Sequence, residues 1–180
     1  MTVSKALVQW LVSILFIPAI FAQGFNLTAL TAVSGVSVFQ CWQLKDSPGK
    51  LNANGIVQWP IGNAANMDMS FMPKNLVISA SKPKVPILSF MLSGLLHVTI
   101  ANTTTDVYIR GGKYGTVFVA DTAEVSKTGH YSFFPEDSIM VRLPTTDGKI
   151  PEHKILYDGP CKDEHIAGIG TDMAKMTIHG

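Results

Sequence analysis

After a long apolar opening, short apolar runs alternate with turn residues along the rest of the chain. The stretch from Leu95 to Ala101 shows this best: Leu96, Val98 and Ile100 fall on one side of an extended backbone, and His97 and Thr99 on the other. Similar runs, cut by Gly, Pro, Asn or Asp, predict strands over Ser37–Trp42, Gly55–Trp59, Asn75–Ser79, Ile87–Leu92, Asp106–Ile109, Gly115–Ala120, His130–Phe134, Ile139–Leu143 and Lys154–Tyr157. Asp46 to Gly49 reads as a turn, and the residues from Gln23 to Val33 as a small-residue, polar lead-in. No stretch after the opening sustains a 3.6-residue period. Roughly eight to ten short strands at this spacing predict an all-β sandwich or jelly roll.

The apolar opening has the layout of a cleavable signal peptide. Lys5 supplies a positive start, Ala6 to Ala22 run apolar apart from Gln9 and Ser13, and Pro18 breaks the run shortly before the small residue Ala22. The run of about 17 residues is at the short limit for crossing a bilayer, and no basic flank follows it. The expected organisation is therefore a signal peptide over 1–22, one β-domain over 23–161, and a polar, Gly-broken, loosely ordered tail over 162–180. Secretion to the extracellular space follows, with no membrane attachment after cleavage, because the chain ends in Thr177-Ile178-His179-Gly180 without an apolar tail.

Export gives meaning to two further features. Asn26-Leu27-Thr28 and Asn102-Thr103-Thr104 are glycosylation sequons. Cys41 and Cys161 are the two cysteines, and an even count in an oxidising compartment predicts a disulfide. Two buried free thiols are the alternative. Of the 180 residues, 47% are hydrophobic and 15% charged, which suits a packed domain rather than disorder. The net charge is +1 with no Lys/Arg cluster, so neither nucleic acid nor an anionic membrane is an expected partner.

Phe90-Met91-Leu92-Ser93-Gly94 running into Leu95-Leu96-His97-Val98-Thr99-Ile100 resembles the strand, glycine turn and returning strand of cupin (RmlC-like jelly-roll) domains. Gly111-Gly112-Lys113-Tyr114-Gly115, Ala120-Asp121-Thr122-Ala123, Val125-Ser126, Gly129-His130, Leu143-Pro144, Pro151-Glu152-His153 and Gly159-Pro160-Cys161 are similar to a group of small secreted fungal proteins of that fold. The resemblance spans about Pro86 to Cys161, half of the mature chain, and implies a single cupin-like jelly roll. Cupin-like domains often pair through sheet edges, so a homodimer is implied by analogy alone.

Metal-binding cupins place two histidines and a glutamate before the glycine turn and one histidine after it. Counting back from Gly94, the first three positions fall near Ser81, Pro83 and Ile87, none of which is such a ligand; only His130 stands where the later histidine belongs. No metal centre and no cofactor are therefore expected. Metal-free acid–base chemistry on such a fold would use His130 with Asp121 as its partner and Tyr114 as proton donor, since Tyr131 should point away from its strand neighbour His130. A ligand pocket would be lined by His97, Thr99, Phe118 and His130 if they share the inner face. Met67, Met69 and Met72 read as side chains filling gaps beneath a loop rather than as copper(I) ligands. No Gly-x-Ser-x-Gly elbow, phosphate loop or zinc motif occurs. The expected function is non-catalytic binding of a small molecule or carbohydrate outside the cell. The alternative is a metal-independent isomerase, cyclase or lyase using His130, and the third is a metal-dependent oxidoreductase.

Overall fold

The computed structural model describes residues 24–48, 50–51, 57–58, 64 and 66–168. The segment read as a signal peptide lies outside the described residues, as do residues 169–180 of the tail. The strands are β1 (Gly24–Val33), β2 (Val36–Pro48), β3 (Lys50–Leu51), β4 (Val57–Gln58), β5 (Asp68–Met72), β6 (Leu76–Ser81), β7 (Ile87–Ser93), β8 (Leu95–Thr99), β9 (Asp106–Arg110), β10 (Thr116–Val119), β11 (His130–Phe134), β12 (Ser138–Pro144) and β13 (His153–Asp158). A seven-stranded sheet runs β13-β2-β1-β10-β7-β12-β5, a four-stranded sheet runs β6-β11-β8-β9, and β3 pairs with β4. Every ladder is antiparallel except β1 with β10. The chain is thus an all-β sandwich of two main sheets. Among the described residues, no helix is long and apolar enough to cross a membrane.

The main core lies between the two sheets. Leu30, Phe39, Met91, Val117 and Met140 from the large sheet meet Leu96, Val98, Val107, Ile109 and Phe134 from the small one. Alternation along β8 and β9 makes this core, since Leu96, Val98, Val107 and Ile109 all turn inward. A second cluster, with Leu27, Trp42, Leu88 and Phe118, sits on the opposite face of the large sheet. Its central strands are therefore apolar on both faces.

That double burial explains the largest difference from the sequence reading. The stretch expected to be a polar lead-in is β1, next to the centre of the large sheet. Residues 25–31 are all buried, so no polar face marks them as a strand. Two of the polar ones have partners instead. Asn26 Oδ1 accepts from Gln43 Nε2 at 3.0 Å, and Thr28 Oγ1 accepts from the Cys161 backbone N–H at 2.9 Å. Two other expectations also change. The backbone of β2 stays extended through the expected turn as far as Pro48. The Met-rich segment is the edge strand β5, in which Met72 packs against the core while Met67 and Met69 are exposed; it does not fill gaps beneath a loop.

Cys41 in β2 and Cys161, just after β13, form a disulfide. Ile166 is buried against this pair and belongs to a short 3-10 helix, Asp163–Gly168. Tyr157 Oη lies 2.8 Å from His165 Nδ1 and accepts from the Lys162 backbone N–H at 2.9 Å. The first turn of the expected loose tail is therefore docked. The two sequons also differ in placement. Asn102 is exposed in a turn at φ 62, whereas Asn26 is 5% exposed inside the large sheet. A glycan on Asn26 is incompatible with this fold, while Asn102 has room for one.

On the outer face of the small sheet, Val77, Phe133, His97 and Tyr108 stand opposite one another on four successive strands. Val77 and Tyr108 are 65% and 60% exposed. The rings of His97 and Tyr108 stack 4.2 Å apart at 1°.

Candidate functional site

The site is built by the segment joining β10 to β11. Asp121 lies two residues past the end of β10 and carries a side chain with no solvent exposure. The chain then turns back, with the Val125 and Ser126 N–H groups donating to Thr122 O and Lys127 N–H to Gly35 O. Gly129 closes the turn at φ 67, where a Cβ would sit 2.5 Å from Ser81 O, so only glycine brings the two strands this close. His130 then opens β11 with its ring turned inward and buried.

A directed chain of hydrogen bonds fixes the imidazole. Gly129 N–H donates to Ser126 Oγ at 2.9 Å, and Ser37 Oγ donates to Asp121 Oδ2 at 2.8 Å. Because the single Ser37 hydroxyl proton is used there, Ser126 donates across the 2.7 Å contact between the two serines. Asp121 Oδ2 also lies 2.9 Å from His130 Nδ1. A carboxylate only accepts, so Nδ1 carries the proton. In the neutral ring, Nε2 then holds the lone pair, and it lies 3.3 Å from Ser81 Oγ. The other carboxylate oxygen, Asp121 Oδ1, has no partner among the described residues.

His130 faces a cavity of about 280 Å³ between the sheets. Leu30, Leu96, Val98, Val117 and Phe134 make most of its wall apolar, and Ser81, Lys82, Ser132, His130 and Arg142 add polar groups. Arg142 Nε donates to Asp68 Oδ1 at 2.9 Å from the edge strand β5.

Of the residues expected to line a pocket, His130 lines this cavity, and His97, Thr99 and Phe118 do not. His97 and Thr99 occupy the outer face of β8, where His97 Nε2 pairs with Asp106 Oδ2 at 2.9 Å. Their alternation with Leu96 and Val98 was legible, but the inner face is the apolar one because the cavity is a gap in the core itself. Phe118 points to the other face of the large sheet and packs on Trp42, with centroids 5.8 Å apart. Among the proposed acid–base residues, His130 and Asp121 are in contact, whereas Tyr114 packs against the disulfide cluster, with Lys113 Nζ 4.8 Å from its ring centroid. Tyr131 is exposed and turned away from the buried His130.

The positions counted back from the glycine turn are placed well: Ser81, Pro83 and Ile87 line the cavity together with His130. Their chemistry does not fit a divalent ion, since a single imidazole with Nδ1 engaged by Asp121 meets only a hydroxyl and apolar groups there. Among the described residues, no group of three or more His, Cys, Asp and Glu could hold a metal. Met69 and Met72 face opposite sides of β5, so they do not form a soft ligand pair. Sequence reasoning named Ser81 only to exclude it as a metal ligand, and it missed Arg142. Ser81 has no motif around it, and Arg142 falls within a strand read only for its apolar residues.

No family model matches the chain, and no curated protein matches it either. Among solved structures, it is similar to a conserved protein of unknown function from Streptococcus pyogenes, with 14% identity and a TM-score of 0.33 over 46% of this chain and 68% of that one. It is also similar to an RmlC-like cupin from Shewanella frigidimarina NCIMB 400, with 12% identity and a TM-score of 0.33 over 67% of this chain and 86% of that one.

Proposed function

We propose that this is a secreted, cupin-like protein whose sandwich takes up a small, largely apolar molecule between its sheets. The observation that carries this reading is the cavity of about 280 Å³, apolar on most of its wall and met by His130 at a polar patch. Ligand pockets are mostly apolar with a few convergent polar groups, and this one is at the small end of the usual range of roughly 300–1,000 Å³. The occupant is correspondingly a short chain or a single ring. Export is supported by the Cys41–Cys161 disulfide, by the leader-like opening and by the exposed Asn102 sequon.

The test uses hexanol, with protein methyl resonances as the readout. Millimolar hexanol is expected to shift the methyls of Leu96, Val98 and Val117. Ser132→Phe, which fills the cavity and removes no side-chain hydrogen bond seen among the described residues, is expected to abolish the shifts. Unmoved methyls in the unsubstituted protein would overturn the reading.

A carbohydrate ligand is the second reading, favoured by the row Val77, Phe133, His97 and Tyr108 on the outer face of the small sheet. With strands about 4.8 Å apart, the row extends roughly 14 Å and offers an apolar, ring-bearing strip to consecutive sugars. Tyr108→Ala is expected to weaken retention on insoluble polysaccharide at least several-fold while leaving the hexanol shifts intact. Equal retention would remove this reading. The metal-independent isomerase or lyase alternative keeps His130 and Asp121 but loses its donor, because Tyr114 belongs to the disulfide cluster.

A further inference from the structure

We propose that Ser81, His130 and Asp121 form a nucleophilic site that hydrolyses small esters, with the cavity holding the acyl chain. The inference rests on the cavity being a ligand site and adds a reaction to it.

The first observation is how Ser81 reaches the cavity. Along β11, His130, Ser132 and Phe134 face inward, and their ladder partners on β6 are Ser81, Ile78 and Leu76. One residue lies between His130 and Ser132, but two lie between Ile78 and Ser81, so β6 carries a bulge. The bulge leaves Ser79 and Ala80 both exposed and returns Ser81 to the inner face. With regular alternation Ser81 would point to solvent. Bulges commonly re-aim a side chain beside an active site, and this one sets a serine against an imidazole.

The second observation is the order of the three groups. The serine hydroxyl meets Nε2 at 3.3 Å, and the carboxylate meets Nδ1 at 2.9 Å. The nucleophile, the base and the group that orients the base are therefore in sequence. Asp121 is held in turn by Ser37, and the lone pair of the neutral imidazole is directed at the hydroxyl. A 3.3 Å separation is loose, as such pairs often are without substrate. A triad of this kind is recognised by geometry and roles rather than by a motif, and here the serine comes from a strand bulge instead of a glycine elbow.

The reaction balances with water alone. Ser81 Oγ bonds to the ester carbonyl carbon as its proton passes to His130 Nε2. The bond from that carbon to the alcohol oxygen then breaks, and the departing alcohol takes the proton from Nε2. Water attacks the acyl-serine, giving one proton to Nε2; Ser81 recovers it as the acid leaves. Lys82 and Arg142 line the same cavity; Lys82 Nζ donates to Lys127 O and Arg142 Nε to Asp68 Oδ1 in the free protein, and one of them turns to the developing oxyanion. The apolar wall selects a short aliphatic or single-ring acyl group.

The experiment treats the secreted full-chain protein with a butyl fluorophosphonate and, separately, with p-nitrophenyl butyrate. One phosphonyl adduct per chain, mapped to Ser81, is expected. Ester hydrolysis is expected to fall at least roughly 100-fold in Ser81→Ala, which should keep the urea unfolding midpoint of the unsubstituted protein, and by a similar factor in Asp121→Asn through kcat with KM little changed. An adduct on another residue, or hydrolysis undiminished in Ser81→Ala, overturns the inference. No adduct while hexanol still binds overturns it and leaves the pocket reading standing. Loss of both labelling and hexanol binding in the unsubstituted protein overturns the two together.

Discussion

Replacing Cys41 and Cys161 together by alanine is expected to lower the unfolding free energy by about 5 kcal/mol, the loop-entropy estimate for a closed segment of this length. The bridge joins residues 120 apart in sequence, so cutting it frees a large loop in the unfolded chain. Its position adds a native-state contribution. Cys41 lies in β2, between β1 and the edge strand β13, and Cys161 lies three residues past the end of β13. The bond therefore holds the last strand and the docked turn carrying Ile166 against the large sheet. Urea unfolding of the oxidised protein and the double variant provides the measurement, with a lower midpoint expected for the variant. A difference below about 1 kcal/mol would show that the bridge adds little to β-ladders that already hold this edge.

The second large effect is expected at Asp121. Asp121→Ala removes the acceptor for two buried donors, the Ser37 hydroxyl and the His130 Nδ1–H. Each buried donor left unpaired costs about 1–3 kcal/mol, so a loss of about 4 kcal/mol is expected. Asp121→Asn retains an oxygen at the same place and is expected to cost about 1 kcal/mol. Unfolding curves of both variants decide the matter. Equal destabilisation would mean that the negative charge of the carboxylate, which asparagine lacks, matters here rather than the presence of one acceptor oxygen. The distinction bears on the site because the same acceptor directs the imidazole lone pair toward Ser81.

The strands with apolar–polar alternation were legible from residues alone. His130–Phe134 matches β11 in full, and β7, β8, β9, β10 and β12 fall within a residue or two of their expected limits. Alternation records a sheet with one face buried, as in β8 and β9, whereas β7 and β10 are buried on both faces and were legible as short continuous apolar runs. In β1, also buried on both faces, the polar residues Asn26, Thr28 and Thr31 interrupt such a run, and it was read as a lead-in for that reason. The edge strand β5 was missed for a different one: its apolar residues Met69 and Phe71 point outward. Asp121 and His130 were legible as candidates because the resemblance to cupins puts a histidine at His130, and Asp121 is an acid in the same stretch that could partner it.

By itself, the sequence determined an all-β chain, its paired cysteines and the histidine on which the site turns, because residue type and period are local properties. Which face of β8 is the inner one, which sequon is sealed inside a sheet, and where Tyr114 packs were decided only when the two sheets closed on each other. Ser81 shows the difference most sharply. One extra residue in β6 reverses which way its side chain points, and a bulge is defined by register against a partner strand rather than by the residues that form it.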